Sequence, residues 1–175
     1  MMDRRNFLKK TSGVSAGVMM TAPFIGTGRH TRHANDTINV AVIGIRNRGR
    51  DHYRALSKVK NVRITHLCDI DERFFPERVA EVEQLTGSKP ATETEYRKIL
   101  DNKDIHAVAI ATPNHWHALQ TIWACQAGKD VYVEKPVSHT VLEGRKMVEA
   151  ARKYNCIVQT GTQSRSADST INAFK

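Results

Sequence analysis

From residue 37 onward the sequence alternates short apolar runs with longer stretches whose apolar residues recur at helical spacing, and this alternation limits the fold more than any other feature. The runs cover 38–43, 62–68, 107–111, 131–133 and 156–158, each short enough for one strand. Their near-continuous apolar character implies a sheet covered on both faces. Between them, Ala55, Leu56 and Val59 fall at helical spacing, as do Phe75, Val79, Val82 and Leu85, then Leu119, Ile122 and Trp123, and finally Val141, Gly144, Val148 and Ala151. Gly87 stands where the second helix should stop, and Thr92 three residues before Glu95 reads as a capping box ahead of Tyr96, Ile99 and Leu100. Strand-helix-strand units of this length wind into a parallel sheet, so the pattern predicts a three-layer α/β/α, doubly wound, Rossmann-type sheet with strand order 3-2-1-4-5-6. A length of 175 residues suits one such core plus an appended segment.

Sheets of this kind bind ligands at the carboxyl ends of their strands, and the unusual chemistry of the chain collects there. The first run ends in Gly44-Ile45-Arg46-Asn47-Arg48-Gly49. A dinucleotide-binding turn carries a middle glycine that lets the backbone approach a pyrophosphate, and Arg46 stands in that place. Forcing a non-glycine residue to positive φ costs about 1–2 kcal/mol. A charge-assisted bond to phosphate contributes about 1.5–3 kcal/mol. The substitution is therefore nearly neutral if Arg46 reaches the pyrophosphate and weakens binding if it points to solvent. Asp69 lies 20 residues after Gly49, the separation at which an acidic residue meets the adenosine ribose hydroxyls and favours NAD over NADP. Arg73 blurs that preference, and NADP is not excluded.

The run at 107–111 leads into Thr112-Pro113-Asn114-His115-Trp116-His117. Asn114 is placed to cap the helix that carries Trp116, Leu119 and Trp123. His115 and His117 would diverge by about 200° on a helix, and without a neighbouring carboxylate or thiol no metal site is expected. A histidine at this strand mouth can instead hydrogen-bond a substrate hydroxyl or the nicotinamide ribose. Glu134-Lys135-Pro136 closes the run at 131–133. Pro136 can fix Lys135 in one direction, for instance through a cis peptide, from where a lysine polarises a substrate oxygen or assists its proton transfer. The last run is followed by Gly161-Thr162-Gln163.

The N-terminus reads as an address. Arg4-Arg5, then Phe7-Leu8-Lys9, then a mildly apolar stretch over 14–25 broken by Pro23 follow the order of a twin-arginine export signal. Cleavage is expected near Ala34, with an uncleaved membrane anchor left open, and the destination is the periplasm or an equivalent exported compartment. Residues 1–34 hold six of the 27 Lys and Arg and one of the 18 acidic residues, leaving 21 against 17 in the remainder. Much of the net charge of +9 is thus N-terminal, and the rest lacks the basic, aromatic-interleaved stripe of a nucleic-acid surface. Cys68, Cys125 and Cys156 have no CxxC spacing and read as buried thiols. In the expected strand order Cys68 and Cys156 are about 19 Å apart, too far for a disulfide, whose Cα atoms lie about 4.4–6.8 Å apart.

Taken together, VIGIRNRGR, LCDID, ATPNHWHA and VYVEKPVSHTVLEGRKMVEAARKYNCIVQTGTQSRS resemble the N-terminal half of the Gfo/Idh/MocA oxidoreductases, the family of glucose-fructose oxidoreductase and inositol dehydrogenase. The resemblance implies a dinucleotide-binding domain over 35–163, with 164–175 starting a link into a second α+β domain that the chain, ending at Lys175, does not include. It implies a nicotinamide cofactor, NAD first, held by Gly44, Ile45, Arg46, Arg48 and Gly49 in the first turn and by Asp69 at the ribose. Thr112, Pro113, Asn114 and His117 would face the nicotinamide end, with Glu134 and Lys135 beside it and Gln163 on the border of the cleft. Lys135 and His117 would be the catalytic pair, orienting a sugar or polyol carbinol for hydride transfer. Homo-oligomerisation stays open. Two other readings do too: an NAD-dependent glycosidase that oxidises a ring carbon transiently, and a non-catalytic nucleotide-binding fragment.

Overall fold

A computed structural model describes residues 37–166 and 168–174; the export segment expected over 1–34 lies outside them. Among the described residues one six-stranded sheet forms from β1 (Ile38–Ile43), β2 (Val62–Cys68), β3 (Ala91–Glu93), β4 (Ala107–Ile110), β5 (Asp130–Val133) and β6 (Val158–Thr160), in the order β3-β2-β1-β4-β5-β6. Every neighbouring pair is parallel. The strands are joined by α1 (Arg48–Leu56), α2 (Phe75–Thr86), α3 (Tyr96–Asp101), α4 (Asn114–Gln126) and α5 (Val141–Lys153). A short 3-10 turn, Gln163–Ser166, and α6 (Asp168–Ala173) follow β6. The fold is the doubly wound, Rossmann-type α/β sheet that the alternation predicts.

β1 shows why. Successive side chains of a strand point to opposite faces, and Ala41 and Ile43 join one cluster with Ile99, Ile110, Cys125, Val133 and Met147. Val40 and Val42 join the other with Tyr53, Ile64, Leu67 and Val82. Each buried Val or Ile is worth about 1.5–3 kcal/mol over exposure, so a strand apolar at every position is stable only in the middle layer. The chain passes from β3 at one edge to β4 on the far side of β1. The connections at the carboxyl ends of β1 and β4 therefore run in opposite directions, and a cleft opens there.

The structure corrects several local readings. β6 starts at Val158, two residues late, because Ile157 belongs to the approach to an edge strand and is 64% exposed. Cys156 is accordingly only half-buried, whereas Cys68 and Cys125 are buried and their thiols are pushed up to about 12 by that burial. None of the three cysteines is in a disulfide, and β1, β4 and β5 separate the Cys68 and Cys156 ends of the sheet. Val59 lies beyond the end of α1 and is exposed. On α5 the buried residues are Met147 and Ala150, while Val141 and Val148 face solvent, so the apolar spacing that includes them mixes two faces.

The capping box also moves. Thr92 lies within β3, and Glu95 caps α3 by itself, accepting from the Arg97 N–H. The reciprocal pair is Thr140 with Glu143 at the start of α5. Gly87 ends α2 in the left-handed conformation, φ +69°. Thr140→Ala is expected to cost about 1 kcal/mol, whereas Thr92→Ala stays within about 0.5 kcal/mol. Urea midpoints of the two variants check this, and equal losses would contradict the assignment.

Candidate functional site

At the end of β1 the chain turns on Gly44, φ +80°, a conformation that favours glycine. A Cβ there would lie 2.9 Å from the Ala111 and Thr112 backbone, and a Cβ on Gly49 would lie 1.8 Å from the Gly44 carbonyl oxygen. The two outer glycines are thus demanded by contact. Arg46 is not strained: among the described residues positive φ outside glycine is confined to Asn61 and Asn155, so the backbone cost considered for a middle-position arginine does not arise. Its guanidinium lies over the Phe74 ring, 4.8 Å from the centroid. The turn is pinned instead through Ile45, whose side chain is fully buried. The Ile45 N–H donates to Asp69 Oδ2 at 2.9 Å, and its carbonyl accepts from Arg78 Nε at 3.2 Å.

Beside this turn a cleft of about 660 Å³ opens at the carboxyl ends of β1 to β4. Gly44, Arg46, Asp69, Thr112 and Pro113 line it. Sequence reasoning missed Ile70, Tyr96, Trp116 and Trp123, which add apolar wall, and Gln120, which adds an amide. Ile70, two residues beyond the end of β2, is 91% exposed, a large apolar residue left at a strand mouth instead of in the core. The two tryptophans are hidden in the sequence because they also fit the helical stripe of α4. Asp69 Oδ1 accepts the Asp71 N–H at 3.0 Å. Asp71 is gripped by Arg73 through bonds of 2.8 and 2.7 Å, which hold its carboxyl down to about 2.

The other half of the edge is built from α4 and the turn after β5. Pro113, already extended at φ −56° and ψ 145°, occupies the cap position of α4, so Asn114 is its first helical residue rather than its cap. The Thr112 hydroxyl donates to Gln120 Oε1 at 2.6 Å. His117 is 2% exposed, with Nδ1 2.7 Å from the Pro136 carbonyl and Nε2 2.8 Å from the Thr112 carbonyl. The ring ties the turn after β4 to the turn after β5. The Lys135–Pro136 peptide is cis and the Lys135 side chain is exposed.

Glu134, expected beside the nicotinamide, points back under the edge. At 4% exposure its Oε1 accepts from Arg48 Nε at 3.0 Å and from His52 Nε2 at 2.9 Å, and Oε2 accepts the Lys135 N–H at 3.1 Å. Arg48 reaches Asp51 as well, at 2.6 Å; it is engaged by carboxylates rather than set into the wall of the cleft. Gln163 places its amide beside the same guanidinium.

The family described as an oxidoreductase family with an NAD-binding Rossmann fold, Gfo/Idh/MocA, matches residues 38–162. The chain belongs to that family. A glycosyl hydrolase family 109 protein from Shewanella pealeana is 30% identical over 178 residues, which are 90% of this chain and 39% of that protein. The structure of myo-inositol 2-dehydrogenase from Lactobacillus plantarum superposes with a TM-score of 0.69 at 28% identity, covering 79% of this chain and 40% of that one. The scyllo-inositol dehydrogenase of Lactobacillus casei, solved with NAD(H) and scyllo-inositol, shares the fold with a TM-score of 0.67 at 23% identity, over 79% of this chain and 40% of that one. This Gfo/Idh/MocA chain therefore spans about two-fifths of the length of these proteins and supplies an NAD-binding Rossmann domain.

Electrostatics make the Glu134 site measurable. Burial pushes its carboxyl up, but the bonds from His52, the Lys135 N–H and Arg48 outweigh this and leave it below the ordinary 4.5. A depressed carboxyl stabilises the fold above its ordinary value, and the contribution fades as pH falls through the folded value. The stability difference between the unaltered chain and Glu134→Gln is expected to hold steady just above pH 4.5 and to shrink below it. Urea titrations at several acid pH values read this; a constant difference into strong acid would contradict the assignment.

Proposed function

We propose that this chain is the cofactor half of an exported oxidoreductase that moves hydride between a nicotinamide and a carbinol carbon of a sugar or polyol. The observation that carries the reading is the shared edge: the Gly44–Gly49 turn, the cleft over Asp69 and the Lys135 turn all stand at the carboxyl ends of adjacent strands. The residues present fit a dinucleotide. α1 begins within the Gly44–Gly49 turn, and the positive end of its dipole favours a pyrophosphate there. The apolar cleft suits adenosine, and each Asp69 oxygen, already accepting one N–H, keeps a lone pair for a ribose hydroxyl. Asp69 and Asp71 disfavour a 2′-phosphate, and Arg73 is neutralised by Asp71, so NAD is preferred.

When bound, NAD supplies the hydride acceptor or donor. Lys135 then polarises the substrate oxygen and assists its proton transfer, and His117 serves as a positioning residue that holds the Thr112 and Pro136 turns together. Turnover is proposed for a protein of the relatives' length. The glycosidase reading stays beside it because of the family 109 relative; release of sugar without net consumption of NAD selects it. The twin-arginine order implies export of a folded protein with its cofactor already loaded. Native protein recovered from the exported compartment is expected to carry bound nicotinamide nucleotide, and recovery without any would overturn cofactor loading before export.

Arg46 gives the sharper test. Stacked on Phe74 at the cleft wall, its guanidinium offers adenine a flat cationic face, an effect worth about 0.5–1 kcal/mol at an exposed site. Calorimetric titration of NAD is expected to show that Arg46→Ala and Arg46→Gly both weaken binding by about two- to fivefold. Tighter binding by Arg46→Gly would mean that Arg46 obstructs the pyrophosphate.

A further inference from the structure

The Glu134 carboxylate receives its donors from two places that the sequence keeps 82 residues or more apart. Arg48 and His52 stand four residues apart on one face of α1. The third donor is the backbone N–H of Lys135 itself. A carboxylate only accepts, so His52 Nε2 carries the proton that faces it. The other ring nitrogen, Nδ1, is buried with no hydrogen-bond partner among the described residues. The His52 ring packs edge-on against Tyr132, 5.1 Å between centroids. Gly161 closes the site: a Cβ there would lie 2.9 Å from the Tyr132 hydroxyl oxygen and 3.0 Å from Glu134 Oε1. The space is shaped around the carboxylate.

Burying a carboxylate under a strand end is costly, and apolar residues of similar volume stabilise such places as well or better. The charge is therefore explained by what it orients. We propose that Arg48 and His52 are positioning residues for Lys135, acting through Glu134. α1, whose first turn faces the cofactor loop, holds the carboxylate, and the carboxylate holds the amide of the lysine. The direction of Lys135 is thereby tied to the same helix that meets the pyrophosphate. Its use in catalysis rests on the cofactor reading above, but the coupling itself is a property of the chain without ligand.

The amide of Lys135 reports on it directly. In a ¹⁵N-labelled sample of the whole chain its proton is expected downfield, as for a donor to a carboxylate, and to move as acid protonates Glu134, the groups facing that carboxyl being Arg48, His52, Tyr132 and the Lys135 amide. Arg48→Met and His52→Leu are expected to shift this resonance upfield and to raise the midpoint of its acid titration. Arg48→Lys and His52→Gln, which restore a donor, return both toward the original values. Glu134→Gln keeps the shape and abolishes the acid-dependent movement, so it serves even where a charge deletion unfolds the chain. A Lys135 resonance indifferent to Arg48→Met and His52→Leu, or shifted equally by the donor-restoring variants, overturns the proposal. NAD added to the same samples is read separately at the amides of 44–49: their failure to respond overturns the cofactor reading and leaves the Lys135 result standing.

Discussion

The contact between Gly49 and the carbonyl of Gly44 sets the geometry of the whole carboxyl edge. With hydrogen alone at Gly49, α1 starts against the end of β1, where any Cβ would stand 1.8 Å from the Gly44 oxygen. That start sets the direction of α1 and the position of Arg48 and His52 on its inner face. Gly44 performs the matching service on the other side, letting the end of β4 approach to a distance that a side chain would forbid. The cleft lies where these two close approaches leave off.

Arg46 takes the place of the middle glycine without backbone strain for a reason that lies outside the turn. Ile45 is held by its buried side chain, by Asp69 at its N–H and by Arg78 at its carbonyl. With one residue constrained three ways, the next takes an ordinary backbone conformation, and Arg46 places its bulk over Phe74 instead of across the loop. Asp69 therefore acts twice, shaping the turn and presenting a carboxylate to the cleft. The 20-residue spacing from Gly49 marks Asp69 in the sequence as a candidate for the ribose; its service to the turn is not legible there, because it depends on a register that places Cys68 beside Ile43.

The same contrast runs through the whole chain. β1 and β4, apolar at nearly every position, announce themselves and fall within a residue of their apolar runs, and β2 does so although Arg63, Thr65 and His66 interrupt it. β6 at the edge and the three-residue β3 carry no such run, so the apolar pattern displaces the first and leaves the second unmarked. The glycines, Asp69 and Lys135 stand out by position relative to strands. Ile70, Trp116 and Gln120 do not, since their part in the cleft depends on which strand ends lie side by side. His117 and Glu134 are visible as chemistry, but their partners are backbone groups and residues distant in sequence, which no local pattern reveals.

α1 is held between two carboxylates, and they differ in what they can do. On its outer side Arg50 and Arg54 meet Glu81 of α2 at 3.0 and 2.6 Å, and the Tyr53 hydroxyl donates to the same group. Glu81 also meets Arg78 at 3.7 Å, whose Nε donates to the Ile45 carbonyl, so that cluster fastens α2 to α1 and backs the glycine turn. On its inner side the carboxylate belongs to the residue next to Lys135, on a turn that His117 also grips through the Pro136 carbonyl. On our proposal, α1, fixed on one side by Glu81, aligns Lys135 from the other through Glu134.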